Sequence, residues 1–397
     1  MQKLLGSAAL SRFRVVDLSQ VRAGPTCVKQ FADFGADVIK VEPPASVPRG
    51  ELYVGARDGS DMQNLHRNKR SITLNLKSPR AKQVLEPLLR TADVVVENFR
   101  PDVKDRLGLD YKTLSAINPR VVLVSISGFG QDGPYRDRPG FDQVIQGMCG
   151  LMSATGTPEG APTRTGASVI DVGAGLYAAL GAMTALLERE QSGKGQWVQC
   201  SLLHVGIGLM DYQAARYLVE GDVAVRMGNE HPTSMPTSAY PTADGYINIG
   251  AGGDDMWRRL CLAFGQPELA DDPDFRTDPD RVRNRDRLNH LLGEQFQAAT
   301  TAQWMARLAD ADVPCGPIYT MDQVFADPQV QHSRIAAPVV HPRRGEIRLV
   351  DQVVKLTRTP AHIVSTLEDK GESNDDVLGE LGLSAETIAE LRSEQVI

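Results

Sequence analysis

The chain has 397 residues, of which 42% are hydrophobic and 23% are charged, a composition typical of a globular protein with room for two domains. Its net charge of −7 disfavours nonspecific nucleic-acid binding, which depends on a basic surface. No apolar stretch approaches the roughly 20 residues needed to cross a bilayer, and the first residues lack the apolar core of a secretion signal. We therefore expect a cytoplasmic protein with no nucleic-acid or membrane partner.

The first 130 residues alternate between strand-like and helix-like segments. Strands are predicted at 13–18, 37–42, 71–76, 92–97 and 121–126, and helices after the first strand and over 78–91. This alternation is typical of an open parallel sheet, so we expect a Rossmann-like α/β domain. Ligands bind beyond the carboxyl ends of the strands in such sheets, where we expect Arg22, Lys40, Asn98 and Ser127.

Turn-rich segments and short helices farther along the chain predict a second, smaller α+β domain. We place the large domain at 1–200, a linker at 201–225, the small domain at 226–325, and a linker with a C-terminal return to the large domain at 326–397. Segments 229–232 and 236–241 are interpreted as turns, and 314–317 as a sharp break. Strands are predicted at 246–250, 346–350 and 352–356, and helices at 256–264, 281–299, 301–309 and from Ser384.

Asp171 stands immediately before the small and apolar run 172–183, whose composition and periodicity predict a buried helix. The N–H groups and the dipole at a helix N-terminus stabilise an anion there and keep it ionised. A carboxylate held in such a glycine-lined corner is a potential nucleophile, but aspartate is also a common N-cap residue. The residues themselves leave both interpretations open.

The sequence lacks the familiar catalytic and metal-binding motifs. It has no G-x-S-x-G and no HExxH motif, its seven histidines are dispersed, and its five cysteines form no CxxC pair. Residues 173–178 fit a G-x-G-x-x-A dinucleotide fingerprint, although no convincing strand precedes them. An NAD-dependent dehydrogenase therefore stays an alternative.

Three basic clusters lie within the first 140 residues of this acidic chain. They are 67–70, then Arg100 with Lys104 and Arg106, and finally Arg136 with Arg138. Clusters of this kind either form a solvated surface or bind a small anionic ligand, phosphates in particular.

Motifs in a consistent order extend over nearly the whole chain. They are RAGPTC at 22–27, FGADVIKVE at 34–42, NKRSITLNLK at 68–77, ENFRP at 97–101, DRLGLDY at 105–111, TGASVIDVGAGLYAALGAMTALLER at 165–189, SGKGQ at 192–196, VPCGP at 313–317 and the closing helix. In this order and spacing the chain resembles the class III CoA-transferases, the CaiB/BaiF family that includes formyl-CoA transferase. The resemblance implies an interlocked homodimer that transfers CoA between an acyl-CoA and a small carboxylic acid.

The resemblance further implies that Asp171 is the nucleophile, through an aspartyl anhydride and an aspartyl-CoA thioester, without a metal or a permanently bound cofactor. By the same resemblance, the residues expected to contact CoA are Arg22, Ala23, Leu74, Asn75, Lys77, Asn98, Phe99, Arg100, Arg106, Arg138 and Phe141. Arg106 is the leading candidate for a phosphate contact, because a guanidinium fits phosphate oxygens in a bidentate manner. Two positions depart from formyl-CoA transferase: Pro43 replaces an arginine at the nucleotide end, and Arg22 replaces a glutamine.

Two further alternatives concern the same fold. Acyl-CoA racemases carry a proton-transferring histidine in a Gly-His-Asp triplet, whereas this chain has Gly140-Phe141-Asp142. A non-catalytic acyl-CoA-binding protein would retain its affinity after loss of Asp171. The glycines at 250–253 are interpreted either as the family's mobile lid or as a strand-to-helix turn.

Overall fold

The computed structural model of the chain describes residues 5–47 and 55–397. The strands are β1 (Arg14–Asp17), β2 (Asp37–Glu42), β3 (Arg70–Thr73), β4 (Val94–Glu97), β5 (Val122–Ser127), β6 (Trp197–Ser201), β7 (Thr237–Pro241), β8 (Tyr246–Gly250), β9 (Cys315–Pro317), β10 (Ala336–His341) and β11 (Gly345–Val350).

The α-helices alternate with these strands in the first half of the chain and predominate in the second half. They are α1 (Ala23–Asp33), α2 (Ser60–His66), α3 (Lys82–Thr91), α4 (Pro101–Arg106), α5 (Tyr111–Ile117), α6 (Asp142–Met148), α7 (Leu151–Ala154), α8 (Val169–Ser192), α9 (Leu202–Leu209), α10 (Asp211–Glu220), α11 (Asp254–Phe264), α12 (Asp278–Arg283), α13 (Arg285–Gln297), α14 (Thr301–Asp310), α15 (Met321–Ala326), α16 (Pro328–Ser333), α17 (Asn374–Glu380) and α18 (Ala385–Ser393). Short 3-10 helices cover Pro79–Ala81 and Pro267–Ala270.

A six-stranded sheet in the order β3-β2-β1-β4-β5-β6 confirms the predicted α/β fold. All of its neighbouring strands are parallel, and the four residues of β4 are completely buried. Helices cover both faces of a parallel sheet, which explains why its inner strands are nearly continuous runs of valine, isoleucine and leucine. The edge strand β6 was not predicted, because Gln199 and Ser201 interrupt its apolar pattern.

Helix α8 lies against α1, and the contact depends on small residues. A Cβ atom at Gly175 would lie 2.6 Å from the Thr26 side chain and 2.7 Å from the carbonyl oxygen of Ala23. The expectation that no apolar stretch is long enough to cross a membrane was wrong for α8, which has 24 residues and a mean hydropathy of 1.6 in its apolar window. A core helix of alanine, glycine and leucine meets the same criterion, and the alanine face of α8 is buried.

The chain divides into two compact units. The first comprises 1–151, 165–221 and 329–397, and the second comprises 152–164 and 222–328. The region 201–225, predicted as a linker, contains α9 and α10, because the apolar run that begins at Leu202 is long enough to form a packed helix.

The second unit has a three-stranded antiparallel sheet in the order β7-β8-β9. Its core is aromatic, with Trp257, Phe275, Phe296 and Trp304 at 0–2% exposure. Strand β7 lies where turns were predicted and β9 lies at the predicted break, because cross-strand pairing overrides the local preference of proline and glycine for turns. In the first unit, β11 pairs with β10, and the strand predicted at 352–356 is absent from the described residues.

Candidate active site

A cavity of about 290 Å³ opens at the carboxyl edge of the six-stranded sheet. The loops after β1, β4 and β5 form its walls, together with the first turn of α8. Strand order changes direction between β1 and β4, and ligands of open α/β sheets bind at such a switch point. The predicted site residues that line it are Arg22, Ala23, Asn98, Phe99, Arg100, Arg138, Phe141 and Asp171.

Asp171 lies in the first turn of α8, two residues after the first helical residue, and is therefore not the N-cap. No residue in the described part of the chain donates a hydrogen bond to its carboxylate. Burial, followed by the nearby Asp142 carboxylate, raises the pKa of Asp171 to about 6, although Arg22 acts in the opposite direction. A carboxylate with this pKa is still largely ionised at neutral pH, but burial and a like charge make its anion less stable than that of a solvated aspartate.

Arg22 reaches the cavity from the residue before α1. The preceding residue, Val21, has a positive φ of 62°, and this sharp turn ends the loop after β1. The Arg22 guanidinium forms an ion pair of 2.6 Å with Asp61 on α2. One edge of the guanidinium is therefore held in place at the cavity wall that also contains Asp171.

Asn98 joins the loops that follow β1 and β4. Its side-chain amide donates to the carbonyl oxygen of Gln20 at 2.8 Å, and its Oδ1 accepts from the N–H of Gln20 at the same distance. The buried Glu97 carboxylate accepts a hydrogen bond from the N–H of Phe99 at 2.9 Å. Burial raises the pKa of Glu97 to about 7, even though the Lys104 ammonium is 4.0 Å away. These bonds fix the backbone that presents Phe99 to the cavity.

The opposite wall carries basic and aromatic side chains. Arg138 stacks on the ring of Tyr135 at 3.9 Å, and Phe141 is 57% exposed at the N-cap of α6. Two glycines allow this wall to approach the end of β5, since a Cβ at Gly128 would lie 2.7 Å from the Cα of Gly140.

A second cavity, of about 230 Å³, adjoins the first and shares Gln20 and Phe99 with it. Leu74, Asn75 and Lys77, all predicted to contact CoA, line it together with Pro43. Among the described lining residues, Lys77 is the cation, and the Glu42 carboxylate is ion-paired with Arg57 at 3.0 Å.

Arg106 and Lys40 lie outside both cavities. Arg106 is highly exposed and forms an ion pair of 3.2 Å with Asp102, four residues earlier on α4. Lys40 is buried, and its ammonium donates to the carbonyl oxygen of Ser19 at 3.3 Å.

A buried ionic cluster underlies the loop after β1. The Lys69 ammonium lies 2.9 Å from an Asp17 carboxylate oxygen, and Lys40 lies 3.8 Å from the same oxygen. The Ser19 hydroxyl donates to the other oxygen at 2.5 Å. Burial alone would raise the pKa of Asp17, but the charges of Lys40 and Lys69 lower it to about 2.

The sequence model of CoA-transferase family III matches residues 10–367. The chain belongs to this family. It is 37% identical to the succinyl-CoA–D-citramalate CoA-transferase of Chloroflexus aurantiacus, over 98% of each chain. It is 36% identical to the succinate–glutarate CoA-transferase of Agrobacterium fabrum, over 94% of this chain and 95% of that one. A solved CaiB/BaiF family protein from Brucella suis is 34% identical with a TM-score of 0.81, covering 94% of this chain and 100% of that one.

These findings confirm the predicted family, and the chain is a class III CoA-transferase. The dinucleotide fingerprint at 173–178 lies wholly inside α8 in this CoA-transferase, without the strand and turn that a dinucleotide site requires. Among the described residues that line the first cavity there is no histidine, the proton carrier expected of the racemases. The glycines that follow Asp171 serve packing: Gly173 faces Val205 and Leu209, and Gly175 faces α1.

Two residues of this CoA-transferase site were missed by the sequence analysis. Gln20 lines both cavities, but it carries no charge and lies outside the family motifs. Asp142 accepts a hydrogen bond from the backbone N–H of Asp171, and the only sequence signal for Asp142 was its place in the Gly140-Phe141-Asp142 triplet. Its partner lies 29 residues away, beyond the reach of any local pattern.

Proposed function

We propose that this enzyme transfers CoA from an acyl-CoA to a small carboxylate through covalent intermediates on Asp171. One observation carries the proposal: the Asp171 carboxylate receives no hydrogen bond from the described residues and lines a cavity that also contains Arg22, Arg100 and Arg138. A carboxylate that is neither neutralised nor solvated by protein donors is more nucleophilic than one in an ion pair.

Each step of the proposed reaction exchanges one activated acyl bond for another. A carboxylate oxygen of Asp171 attacks the thioester carbonyl, the C–S bond breaks, and CoA leaves as a thiolate. The thiolate then attacks the Asp171 carbonyl of the mixed anhydride, which releases the donor acid and forms the aspartyl-CoA thioester. The acceptor carboxylate attacks this thioester, the C–S bond breaks, and a second mixed anhydride and free CoA thiolate form. The thiolate finally attacks the acceptor carbonyl of this anhydride, which gives the new acyl-CoA and frees the Asp171 carboxylate. Because thioester and anhydride are comparably activated, the Asp171 carboxylate and the cavity around it are enough to carry out every step of this exchange.

The two adjoining cavities and the cations that line them suit CoA, which is an extended anionic ligand. Phe99 and Gln20 border both cavities, so one extended ligand can pass from the second cavity to Asp171. In this arrangement Lys77 compensates for the arginine that Pro43 replaces at the nucleotide end. The CoA-contacting set that we propose is Arg22, Ala23, Leu74, Asn75, Lys77, Asn98, Phe99, Arg100, Arg138 and Phe141, with Arg106 as a contact of the outer phosphate.

The acceptor that we propose is a small dicarboxylate, with its second carboxylate bound by Arg22. The two relatives act on citramalate, succinate or glutarate by name. Arg22 faces the cavity beside Asp171 and holds only one edge of its guanidinium against Asp61. The donor and the acceptor are identified by measuring CoA transfer within a panel of acids and their CoA esters. The panel is oxalate, succinate, mesaconate and citramalate.

Replacing Arg22 tests this assignment. We expect Arg22→Gln to raise the KM for the preferred dicarboxylate by about 10–100-fold, because a charge-assisted pair contributes roughly 1.5–3 kcal/mol. The KM for acyl-CoA should rise less, by no more than about fivefold, because Arg22 is one of many residues in the proposed CoA-contacting set. Rates are measured near pH 8, since loss of Arg22 also removes a charge that lowers the pKa of Asp171. Arg90→Gln, which removes an exposed guanidinium from α3, is the matched control. An unchanged acceptor KM in Arg22→Gln would contradict the assignment.

The raised pKa of Asp171 predicts an acid limb in the pH profile. The carboxylate attacks only when it is ionised, and its protonated fraction increases as pH falls through about 6. We expect kcat/KM to be level near pH 8 and to fall about tenfold per pH unit below about 6. Initial rates at constant ionic strength provide the measurement. A rate that stays level down to about pH 5 would contradict it.

A homodimer in the cytoplasm is the assembly that we propose for this enzyme. The outer side of α8 exposes Leu176, Leu180 and Leu187 at 47%, 61% and 69%. A row of exposed leucines on one helix face favours burial against a second protein surface. Light scattering coupled to size-exclusion chromatography should give twice the 43.2 kDa chain mass.

Trapping of the covalent intermediate tests the proposed function. The enzyme is incubated with succinyl-CoA and quenched with hydroxylamine, which converts an acylated carboxylate to a hydroxamate, and the peptides are then mapped by mass. We expect the label on Asp171. A label on another residue, or its complete absence during measurable CoA transfer, would exclude the mechanism.

A further inference from the structure

Asp142 is a buried carboxylate that binds the first turn of α8. It is 7% exposed, and its Oδ1 accepts hydrogen bonds from the N–H groups of Ile170 at 2.9 Å and Asp171 at 3.1 Å. Ser168, the N-cap residue of α8, makes no capping hydrogen bond with its own side chain. The helix therefore obtains its cap from α6, where Asp142 is the first residue.

Gln146 holds the Asp142 carboxylate in this position. Its Nε2 donates to the second oxygen of Asp142 at 2.5 Å. Its Oε1 accepts from the N–H of Thr165 at 2.9 Å and from the Thr165 hydroxyl at 3.3 Å. Both ends of the Gln146 amide are thus used, so its orientation is determined and the Asp142 carboxylate cannot rotate without breaking a bond.

Of the two carboxylates near the N-terminus of α8, only that of Asp142 accepts hydrogen bonds from the helix N–H groups among the described residues. The N–H groups solvate Asp142, while the Asp171 carboxylate receives none of them. The Asp142 charge also disfavours ionised Asp171, and Arg22 opposes this effect. The other titratable groups on elements packed against α8 are Cys27, Lys29 and Asp33 on α1, Cys200 on β6, and His204 on α9.

We propose that Asp142 is a positioning residue that fixes the backbone of Asp171 and keeps the Asp171 carboxylate poorly stabilised until it is acylated. The proposal rests on the proposed function, in which Asp171 is the nucleophile. Acylation converts the Asp171 anion to a neutral mixed anhydride, so the repulsion from Asp142 is relieved as the first step proceeds. An interaction that destabilises only the ionised ground state lowers the barrier to that step.

Two variants separate the backbone contact from the charge. Asp142→Ala removes the acceptor for both N–H groups. The double variant Asp142→Asn with Gln146→Glu retains every hydrogen bond, because the asparagine amide donates to the new carboxylate, which still accepts from Thr165. The double variant leaves the net charge unchanged but moves the negative charge away from Asp171.

The measurements are kcat and KM for CoA transfer, the pH profile, and the rate of hydroxylamine-trapped label at Asp171. We expect Asp142→Ala to lose about 100-fold in kcat with an acyl-CoA KM within about threefold, as displacement of a reacting group does. We expect the double variant to recover most of this loss but to stay about threefold below wild type, because the charge effect is removed, and we expect its acid limb to shift to lower pH by about one unit.

The outcomes distinguish failure of the Asp142 proposal from failure of the proposed function, in which Asp171 is the nucleophile. If wild-type enzyme gives no label at Asp171, the proposed function fails. If wild type is labelled and Asp142→Ala is labelled equally fast, the positioning role fails alone. If the double variant keeps the wild-type acid limb, the charge effect is overturned, and this readout remains decisive even if Asp142→Ala does not fold.

Discussion

Replacement of Asp171 by alanine or asparagine is expected to abolish CoA transfer. The loss in kcat should be about 10⁴-fold or more, because every proposed step forms or breaks a bond to this carboxylate. Acyl-CoA affinity, measured by calorimetry, should remain within about threefold, since Asp171 makes no charge-compensating contact with the expected phosphate groups. A binding protein without catalysis would show the same affinity but no transfer activity in wild type either.

The matched control is a carboxylate-to-amide change elsewhere on the same helix. Glu188 is exposed near the C-terminal end of α8, so Glu188→Gln should keep the rate within about twofold. Asp171→Asn also has a stability signature. A pKa raised in the folded state means that ionised Asp171 destabilises the fold, so the asparagine variant should melt higher than wild type near pH 8 but not near pH 4. Transfer above about a tenth of the wild-type rate in both variants would exclude the nucleophile role.

The sheet could be predicted from the sequence because its inner strands are buried on both faces. Strands β1, β2, β4 and β5 are short apolar runs separated by helical segments, a pattern typical of parallel α/β sheets. The short strands of the second unit could not be found in this way. Strand β9 has three residues, two of them glycine and proline, and it exists because β8 pairs with it.

The site was predictable where residues follow strands and not where the contact depends on distant side chains. Arg22 and Asn98 follow β1 and β4, so the parallel order of the sheet brings them to one edge. Sequence reasoning did not predict that Arg106, which stays a proposed contact of the outer phosphate, lies outside both cavities and pairs with Asp102 on α4. The helix position predicted an ionised Asp171, but it did not predict that burial and Asp142 raise the pKa of Asp171 to about 6, because Asp142, which also occupies the N–H groups, lies 29 residues earlier.

Replacement of Asp17 is expected to have the largest effect on stability. Asp17→Asn leaves the Lys69 ammonium, which is fully buried, without its countercharge. We expect the free energy of unfolding in urea at neutral pH to fall by about 3–5 kcal/mol, as when one partner of a buried pair is removed. The double variant Asp17→Asn with Lys69→Met should recover part of the loss, since Lys69 then carries no charge to compensate, whereas Lys40 still lacks its countercharge. Glu86→Gln, which breaks an exposed ion pair with Arg90, should cost less than about 0.5 kcal/mol.

The stabilisation by Asp17 is expected to decrease at low pH. Because the folded-state pKa of Asp17 is lowered to about 2, the stabilisation is complete above its ordinary value of 3.8 and is lost as pH falls from there toward 2. The difference between wild type and Asp17→Asn should therefore shrink between about pH 4 and about pH 2 and be constant near neutrality. A difference that is independent of pH in this range would contradict the assignment. Lys40, paired with the same carboxylate, also donates to the carbonyl oxygen of Ser19, so the cluster that stabilises β1 also holds the loop that carries Gln20 and Arg22 to the cavity.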